Sequence, residues 1–387
     1  MSNDKPLISV IMPVKNNKRF FPKAVESVLN QNFEDWELVI VEGFSDDGTS
    51  DLADEYAETD KRIRVFHEDE WIYESLNIGI SRCSGEYVTF LNSDDLFMQG
   101  ALKKAAEYIK EYGVDLFLFA VKTVTCDAEQ RVLSDDSEDV IAFMPNEFVL
   151  NGNLECRSNW ATILRIGLLN NQLNVYKKSV IKDLRFRNDI FGADYYFNLE
   201  MLPRMKSIAY YPECLYRFNA YKDVPGMNAS VGKYYPYLHI MHNDFYYKSI
   251  EIFATHGCLN EDVLRLLRRK RIAEFEGELV AYTSDSCKLS LEQRLYELFA
   301  YTADLFEIFL IENAFKDYEN KVLSVSYSLI SFLNEDAGKM TTVCNGIKAI
   351  FEADEGGEAD INAIFAMVRD YYNPAHIGVT VCNKLLE

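Results

Sequence analysis

The chain has 387 residues, of which 48% are hydrophobic and 26% charged, a composition typical of globular proteins that excludes wholesale disorder. A surplus of Asp and Glu gives a formal net charge of −21. This charge argues against a general nucleic-acid binder and against broad electrostatic adhesion to anionic lipid. The length predicts two domains, or one large domain with an extension.

Targeting and cysteine patterns point to one compartment. No apolar run approaches the roughly 18 residues needed to span a bilayer. The N-terminal MSNDKPLISV also lacks the basic region and long apolar stretch of a signal peptide. Eight cysteines without a C-x-x-C pair fit reduced thiols better than a disulfide framework or a zinc site. We therefore expect a cytoplasmic protein.

Strand-like and helix-like patterns alternate over the first third of the chain. The predicted strands are Leu7–Val14, Trp36–Val41, Ile63–Phe66, Tyr87–Leu91 and Asp115–Val121. The predicted helices are Phe21–Leu29, a short one from about Ser50, Tyr73–Cys83 and Ala101–Glu111. This alternation predicts right-handed crossovers and an α/β fold, with a mostly parallel, Rossmann-like sheet covered on both faces.

The later part of the chain has a different pattern. The aromatic-rich segment Ser207–Phe218 predicts an edge strand or a hairpin interrupted by Pro212. Beyond Lys233, amphipathic stretches predict helices at Tyr237–Ala254, Asn260–Tyr282, Leu291–Glu312, Glu319–Leu333 and Asp360–Tyr371. We therefore predict an α/β domain over residues 1–232 and a helical C-terminal domain over residues 233–387, which could shape acceptor binding or form a homo-oligomer.

Ligands of an open parallel sheet bind beyond the carboxyl ends of its strands. The first, second and fourth predicted strands are followed there by PVKN (13–16), EGFSDDG (42–48) and NSDD (92–95). Acidic groups therefore crowd one edge, and like charges cost free energy unless a cation is present. Carboxylates of this kind suit Mg²⁺ or Mn²⁺. No P-loop and no G-x-G-x-x-G follows the first strand, which disfavours P-loop nucleotide hydrolysis and dinucleotide binding.

Several ordered motifs carry a resemblance to a known family. The segment ISVIMPVKNNKRFFPKAVESVLNQNFEDWELVIVEGFSDDGTSD resembles the opening of family 2 glycosyltransferases, which have the GT-A fold. The segment EWIYESLNIGISRCSGEYVTFLNSDDLF is similar to the next portion of that family, with a DXD-like acidic motif. Phe191–Phe197 resembles the later G-E-D-x-x-F element. The resemblance covers about residues 6–220 and is strongest to bacterial polysaccharide-building members.

The resemblance implies a role for individual residues. Pro13 and Val14 resemble the wall that holds the nucleoside of the donor, and Glu42 the acidic residue that contacts the nucleotide. Asp94 and Asp95 resemble the metal-binding pair, in which the second carboxylate ligates the cation and the first lies nearer the ribose. Asp194 matches the general base. We place four further residues in the donor site: Ser45, Trp71, Asn77 and Ser93.

The chain departs from the family pattern at four positions. Gly43 stands where most members have a second Asp, and Phe44 replaces a usual Gly. Lys15 replaces a common Tyr, and Ala193 replaces the Glu that usually precedes the base.

Structural explanations compete with these functional ones. Asp94, Asp95 and Asp194 could cap the helices that follow them. Trp71 could be a core residue. The basic run from Arg265 to Arg271 could dock on an anionic membrane, which would place the protein at the inner face of that membrane. Alternatively, the run could pair with neighbouring acidic residues on a solvated helix face.

The residues and the resemblance together predict an inverting, metal-dependent glycosyltransferase. It would transfer a hexosyl or N-acetylhexosaminyl group from a nucleoside diphosphate sugar, with a UDP-sugar as the expected donor, to a hydroxyl of a glycan or lipid-linked acceptor in surface polysaccharide synthesis. Mn²⁺ or Mg²⁺ is the expected cofactor. The alternatives are a sugar-nucleotide nucleotidyltransferase and a non-catalytic nucleotide- or glycan-binding scaffold.

Overall fold

A computed structural model describes most of the chain up to residue 312. The described residues are 5–134, 140–141, 146–165, 171–222, 233–282, 284–290, 293–294, 297–298, 301, 304–305, 308 and 311–312. The chain divides into two compact units, Met1–Ala229 with Glu251–Leu259 and Ser230–Ile250 with Asn260–Glu387.

One mixed sheet organises the first unit. Its eleven strands within the described residues are β1 (Ile8–Val14), β2 (Trp36–Glu42), β3 (Ile63–His67), β4 (Tyr87–Phe90), β5 (Leu96–Phe97), β6 (Leu116–Cys126), β7 (Val132–Ser134), β8 (Val140–Ile141), β9 (Phe148–Asn151), β10 (Asn174–Lys177) and β11 (Ser207–Tyr221). The main path runs β3-β2-β1-β4-β10-β6-β11-β5. The longest pairings are parallel, including the whole β3-β2-β1-β4 half. The predicted α/β fold with a mostly parallel sheet is confirmed.

Helices of the first unit follow the strands. They are α1 (Phe21–Leu29), α2 (Thr49–Thr59), α3 (Ile72–Arg82), α4 (Ala101–Tyr112), α5 (Asn153–Ser158), α6 (Trp160–Arg165), α7 (Lys178–Ile181) and α8 (Ala193–Met201), with 3-10 turns at Asn171–Leu173 and Leu202–Arg204. The apolar positions of α1 are buried as their helical spacing predicts, and Pro22 at its start leaves no backbone hydrogen bond unmade. The helix α4 ends at Gly113, whose φ of 60° is the left-handed conformation that favours glycine.

The central strands are buried along their whole length. Every residue of β1 and β2 is buried, as expected for parallel strands covered by helices on both faces. Their register pairs Val14 with Glu42, so both strands end at the same level of the sheet. The loops that follow them are therefore brought to one edge, which is where the sequence concentrates its acidic residues.

The strand β11 is the main departure from the predicted topology. It pairs with β6 on one side and with β9 and β5 on the other, so the prediction of an edge strand or hairpin is wrong. The register of β11 against β6 shifts between Tyr211 and Cys214, which places Pro212 at an irregularity where its missing N–H breaks no regular ladder.

The described part of the second unit is helical. Helices α9 (Leu238–Thr255) and α10 (Glu261–Ala281) match two of the predicted helices, and the Asn260 side chain caps α10 by accepting from the Val263 N–H at 3.0 Å. The predicted helix Leu291–Glu312 is described only in part, and Glu319–Leu333 and Asp360–Tyr371 lie outside the described residues. None of the described helices combines the length and the apolar character that a membrane span requires.

Close packing of α3 on β1 gives a testable consequence. A Cβ added to Gly79 of α3 would lie 2.3 Å from Ile11 Cγ2, whereas one added to Gly277 of α10 would meet no atom within 4 Å. We expect Gly79→Ala to lower the free energy of unfolding by about 2 kcal/mol or more through overpacking. Gly277→Ala should raise it by about 0.5–1 kcal/mol through helix propensity. Urea denaturation measures both, and equal effects would contradict this packing.

Candidate functional site

Three loops meet at the carboxyl edge of the parallel strands. The Asn17 side chain, after β1, donates to Ser93 Oγ after β4 at 2.9 Å, and the Asn17 N–H donates to Thr49 Oγ1 at 3.0 Å. The Asn16 N–H donates to Ser45 Oγ, after β2, at 2.8 Å. The structure therefore brings the predicted residues Ser45 and Ser93 into one hydrogen-bonded edge with the turn that follows Pro13 and Val14.

Glu42, the last residue of β2, is fully buried and already has partners within the protein. Its carboxylate accepts the N–H of Phe44 at 3.1 Å and of Ser45 at 2.8 Å, and its Oε2 lies 2.9 Å from His67 Nδ1. Burial opposes its charge, but the hydrogen bonds from Ser45 and His67 outweigh burial and lower the pKa of Glu42. Glu42 fixes the loop after β2, and its direct contact with a nucleotide stays a prediction.

Two of the departures from the family pattern lie against each other. A Cβ added to Gly43 would lie 2.9 Å from Lys15 Cδ and 3.1 Å from Lys15 Cβ, because the aliphatic chain of Lys15 packs across the glycine. The Lys15 ammonium pairs with Asp69. Glycine at 43 and lysine at 15 are therefore compatible with each other, and any side chain at position 43 would displace Lys15.

The two adjacent carboxylates after β4 have different surroundings. Asp95 is fully buried: its Oδ1 accepts the Asn219 N–H at 2.8 Å, and its Oδ2 accepts the Tyr216 hydroxyl at 2.7 Å and the Asn92 amide at 3.0 Å. Asp94 is partly exposed, and no neighbouring side chain in the described part of the chain donates to its carboxylate. Neither residue caps α4, whose N-cap is Gly100.

Electrostatics at this pair favours a cation. Burial raises the pKa of both Asp94 and Asp95, and the charge of Asp94 raises that of Asp95 further. The buried amide oxygen of Gln130, whose amide nitrogen lies 3.3 Å from the Asp94 carbonyl, has no donor among the described residues. A divalent cation offsets such charge, and one or two carboxylates completed by phosphate oxygens and water satisfy Mg²⁺ or Mn²⁺. The residues present therefore fit a metal held jointly with a diphosphate, although no three acidic, His or Cys side chains in the described ranges form a ligand cluster.

Residues of β11 that the sequence analysis did not identify hold this pair in place. Besides the bonds to Asp95, two groups of β11 donate to the Asp94 carbonyl. They are the Asn219 side-chain amide, at 2.7 Å, and the Tyr221 hydroxyl, at 2.9 Å. The only sequence signal for them is the presence of two Tyr and one Asn within six residues of a predicted strand and its end, Tyr216–Tyr221. Because β11 is more than 100 residues from Asp94 in the chain, that signal did not indicate which residues face the pair.

The predicted base Asp194 lies in the first turn of α8. The N-cap is Gly192, with φ of 80°, so Asp194 is not the capping residue. Burial raises the pKa of Asp194 to about 6, against smaller opposing effects of hydrogen bonds from its own N–H and from Tyr73. The Tyr73 hydroxyl lies 3.4 Å from Asp194 Oδ1 and accepts the Gly192 N–H at 2.8 Å. Tyr73 therefore connects α3 to the predicted base.

Trp71 is near this carboxylate and is accessible. Its ring is 37% exposed and forms edge-on contacts with Tyr73 at 5.3 Å and with Phe191 at 5.0 Å between centroids. Trp71 is thus not a core residue. It lies beside Tyr73, whose hydroxyl is close to Asp194, and beside Phe191, which precedes Asp194 by three residues in the chain.

Asn77 is placed elsewhere. It is 5% exposed; its amide donates to Glu74 and to the Phe186 carbonyl, both at 2.9 Å, and its oxygen accepts the Phe186 N–H at 2.8 Å. These bonds leave no amide hydrogen for a donor sugar. The structure therefore places Asn77 in the support of the site, linking α3 to the segment before α8, and not on the surface that a ligand would contact.

The basic run in α10 is largely engaged in ion pairs. Arg271 is fully buried and pairs with Glu278 at 2.9 Å; Arg268 is 6% exposed and pairs with Glu261 at 2.6 Å and Glu312 at 2.7 Å. This arrangement matches the second sequence interpretation, pairing with neighbouring acids, and leaves the run without a continuous basic face.

The hydrogen bonds of Asp95 predict a stability effect. In Asp95→Asn, the new NH₂ group replaces one of the two carboxylate oxygens. It would then face either the Asn219 N–H, or the Tyr216 hydroxyl and the Asn92 amide, so at least one buried donor loses its acceptor. We expect the free energy of unfolding to fall by about 2 kcal/mol. Asp94→Asn, whose carboxylate accepts from no neighbouring side chain, should leave it within about 0.5 kcal/mol. Chemical denaturation compares the two, and equal losses would contradict the different surroundings described above.

Comparisons with known proteins show what the chain is similar to. The model of the family described as "Glycosyl transferase family 2" matches residues 9–171. The chain is 39% identical over 113 residues to the putative teichuronic acid biosynthesis glycosyltransferase TuaG of Bacillus subtilis, which covers 29% of this chain and 45% of TuaG. It is 26% identical over 201 residues to the GalNAc(5)-diNAcBac-PP-undecaprenol beta-1,3-glucosyltransferase of Campylobacter jejuni, covering 49% of this chain and 57% of that protein. The chain thus matches about half the length of these relatives.

The fold has solved counterparts. The crystal structure of S. aureus TarS 1-349 is similar with a TM-score of 0.53 and 16% identity, covering 94% of this chain and 91% of that one. The same protein in complex with UDP-GlcNAc gives a TM-score of 0.50 at 17% identity, with the same coverage. These likenesses and the family match agree with the GT-A type of sheet. Residues 9–171 are therefore similar to glycosyltransferase family 2, and the described sheet has the same GT-A type of fold as the solved counterparts.

Proposed function

We propose that the protein is an inverting, metal-dependent glycosyltransferase that transfers a sugar from a nucleoside diphosphate sugar to a hydroxyl of a glycan or lipid-linked acceptor. One observation carries this proposal: two adjacent carboxylates, the partly exposed Asp94 and the fully buried Asp95, lie where the loops of three parallel strands meet, within the region that matches the family 2 model. A scaffold without chemistry would gain nothing from two adjacent acids whose burial costs free energy.

Asp94 is the residue that would hold the cation, with Asp95 supporting it. This assignment reverses the order that the resemblance implies, because both oxygens of Asp95 already accept hydrogen bonds whereas those of Asp94 remain available. When bound, Mn²⁺ or Mg²⁺ would neutralise the charge that develops on the diphosphate leaving group. Asn219, Tyr221 and Gln130 all donate to the Asp94 carbonyl and so hold the backbone from which its carboxylate projects.

Asp194 would take the proton of the acceptor hydroxyl as that hydroxyl attacks. A hydroxyl is a poor nucleophile at neutral pH, and a carboxylate whose pKa burial raises to about 6 is a stronger base than an exposed one while still ionised at pH 7. A base on the face opposite the diphosphate gives inversion at the anomeric carbon. Trp71, exposed beside Tyr73 and Phe191, supplies an aromatic surface on which a sugar ring can stack.

The names of similar proteins indicate which donor and acceptor substrates to test first. TarS binds UDP-GlcNAc in one of its structures, which makes a UDP-sugar the first donor to examine. The names of the relatives from B. subtilis and C. jejuni specify teichuronic acid biosynthesis and an undecaprenol-linked saccharide. We accordingly propose a bacterial surface polysaccharide, or its lipid-linked precursor, as the acceptor.

The metal role predicts loss of donor turnover without loss of fold. Hydrolysis of UDP-GlcNAc in Mn²⁺ should be abolished by EDTA, restored by excess Mn²⁺ or Mg²⁺, and reduced by about 10²-fold or more in Asp94→Ala. The matched control Asp69→Ala removes an exposed acid that pairs with Lys15 and should retain most activity. Turnover that is indifferent to chelation would discard the metal.

The base role predicts a pH dependence. Because the pKa of Asp194 is raised to about 6, the carboxylate is ionised above that pH and protonated below it. Transfer measured as kcat/KM should therefore fall about tenfold per pH unit below that value and level off above it. Asp194→Asn should lose transfer by about 10²-fold or more, and retain UDP binding. Equal loss of binding in this variant would show that Asp194 is structural.

A further inference from the structure

Phe44 is in an unfavourable state by two independent measures. Its side chain is 62% exposed, and its φ of 52° lies in the left-handed region that bulky side chains rarely adopt. Because most of the ring is exposed to solvent, it contributes little hydrophobic stabilisation, and its strained backbone lowers the free energy of unfolding. Hydrogen bonds of the loop backbone, and not burial of the ring in the core, therefore hold this conformation.

Buried groups hold Phe44 in that state. The Glu42 carboxylate, fully buried, accepts the N–H of Phe44 and of the residue after it, and the Gly43 N–H donates to the Val14 carbonyl at 2.9 Å. One ring neighbour is His67, with centroids 6.0 Å apart and planes tilted by 40°. The loop thus holds the backbone of Phe44 in place and leaves most of the ring surface accessible.

The loop that carries Phe44 belongs to the edge described above. Its next residue, Ser45, bonds to Asn16, and Asn17 bonds to Ser93, which precedes Asp94. Within the three loops 15–18, 43–48 and 92–95 the sequences are KNNK, GFSDDG and NSDD, so Phe44 is the one aromatic residue. At position 15 the side chain is a lysine that lies across Gly43 and pairs with Asp69.

We propose that Phe44 is the platform on which the nucleobase of the donor stacks. The inference rests on the proposed function, since it needs a nucleoside diphosphate held at this edge. An exposed aromatic ring on a backbone that hydrogen bonds hold in place gives favourable stacking to any base, because every base has a π-face. The strained backbone at Phe44 would then serve ligand binding and not stability, as backbone strain at ligand sites commonly does.

Titration calorimetry with nucleoside diphosphates tests this role. The experiment uses the full chain with Mn²⁺ and whichever of UDP, GDP or dTDP the wild type binds most tightly. Phe44→Ala and Phe44→Gly should weaken binding about tenfold or more, the usual effect of removing a stacking ring, whereas Phe44→Tyr should retain it. Binding of inorganic pyrophosphate with Mn²⁺ should not change in any of these variants, because pyrophosphate has no base.

Two controls separate stacking from a structural role. Tyr112→Ala removes another exposed aromatic, at the end of α4, and should leave nucleotide affinity unchanged. Phe44→Gly removes the backbone strain with the ring, so its thermal unfolding midpoint should equal or exceed that of the wild type even as its nucleotide affinity falls.

The outcomes distinguish the two claims. If the wild type binds a nucleotide and Phe44→Ala binds it equally well, or if pyrophosphate binding falls in parallel, Phe44 is not a base platform while the proposed function stands. If the wild type binds none of the three nucleotides, the proposed function fails and this inference fails with it.

Discussion

The placement of two adjacent carboxylates, Asp94 partly exposed and Asp95 fully buried, at the carboxyl edge of the sheet is the constraint on which this domain depends. The two acids are treated differently: Asp95 is offset by hydrogen bonds from Asn92, Tyr216 and Asn219, whereas Asp94 accepts from no neighbouring side chain in the described ranges. Because burial raises the pKa of Asp94, its charge would be stabilised by a cation beside it. Under the proposed function, the carboxylate of Asp94 would accept a cation together with the diphosphate of a donor.

The loops around the pair are built to hold positions. The Glu42 carboxylate accepts hydrogen bonds from the loop after β2, so it is less available to a nucleotide than the family resemblance implies. The side chain of Lys15 packs across Gly43. On the other side, Tyr73 connects α3 to Asp194, and Asn77 connects the same helix to Phe186. The helix α3, packed closely on β1 at Gly79, therefore supports the predicted base from a rigid element.

The parts of the fold governed by local pattern could be predicted from the sequence. Four strands and four helices of the parallel half follow from apolar spacing, because each buries a continuous face. The strand β10 and the internal position of β11 could not, since a four-residue strand has no periodicity and strand pairing depends on long-range contacts. Similarly, motifs identified Asp94 and Asp194, but only coordinates show that Asp95 is engaged and that Asn77 is turned to the backbone of Phe186.

The central claim is that Asp94 holds a cation together with the diphosphate of a donor. A crystal structure with Mn²⁺ and UDP, recorded at a wavelength sensitive to manganese, tests it most directly. The account predicts an anomalous peak at about 2.0–2.3 Å from an Asp94 carboxylate oxygen and bridged to the diphosphate, with Asp95 still bonded to Asn219. A peak bound to Asp95 alone, or UDP bound at this edge without manganese, would contradict it.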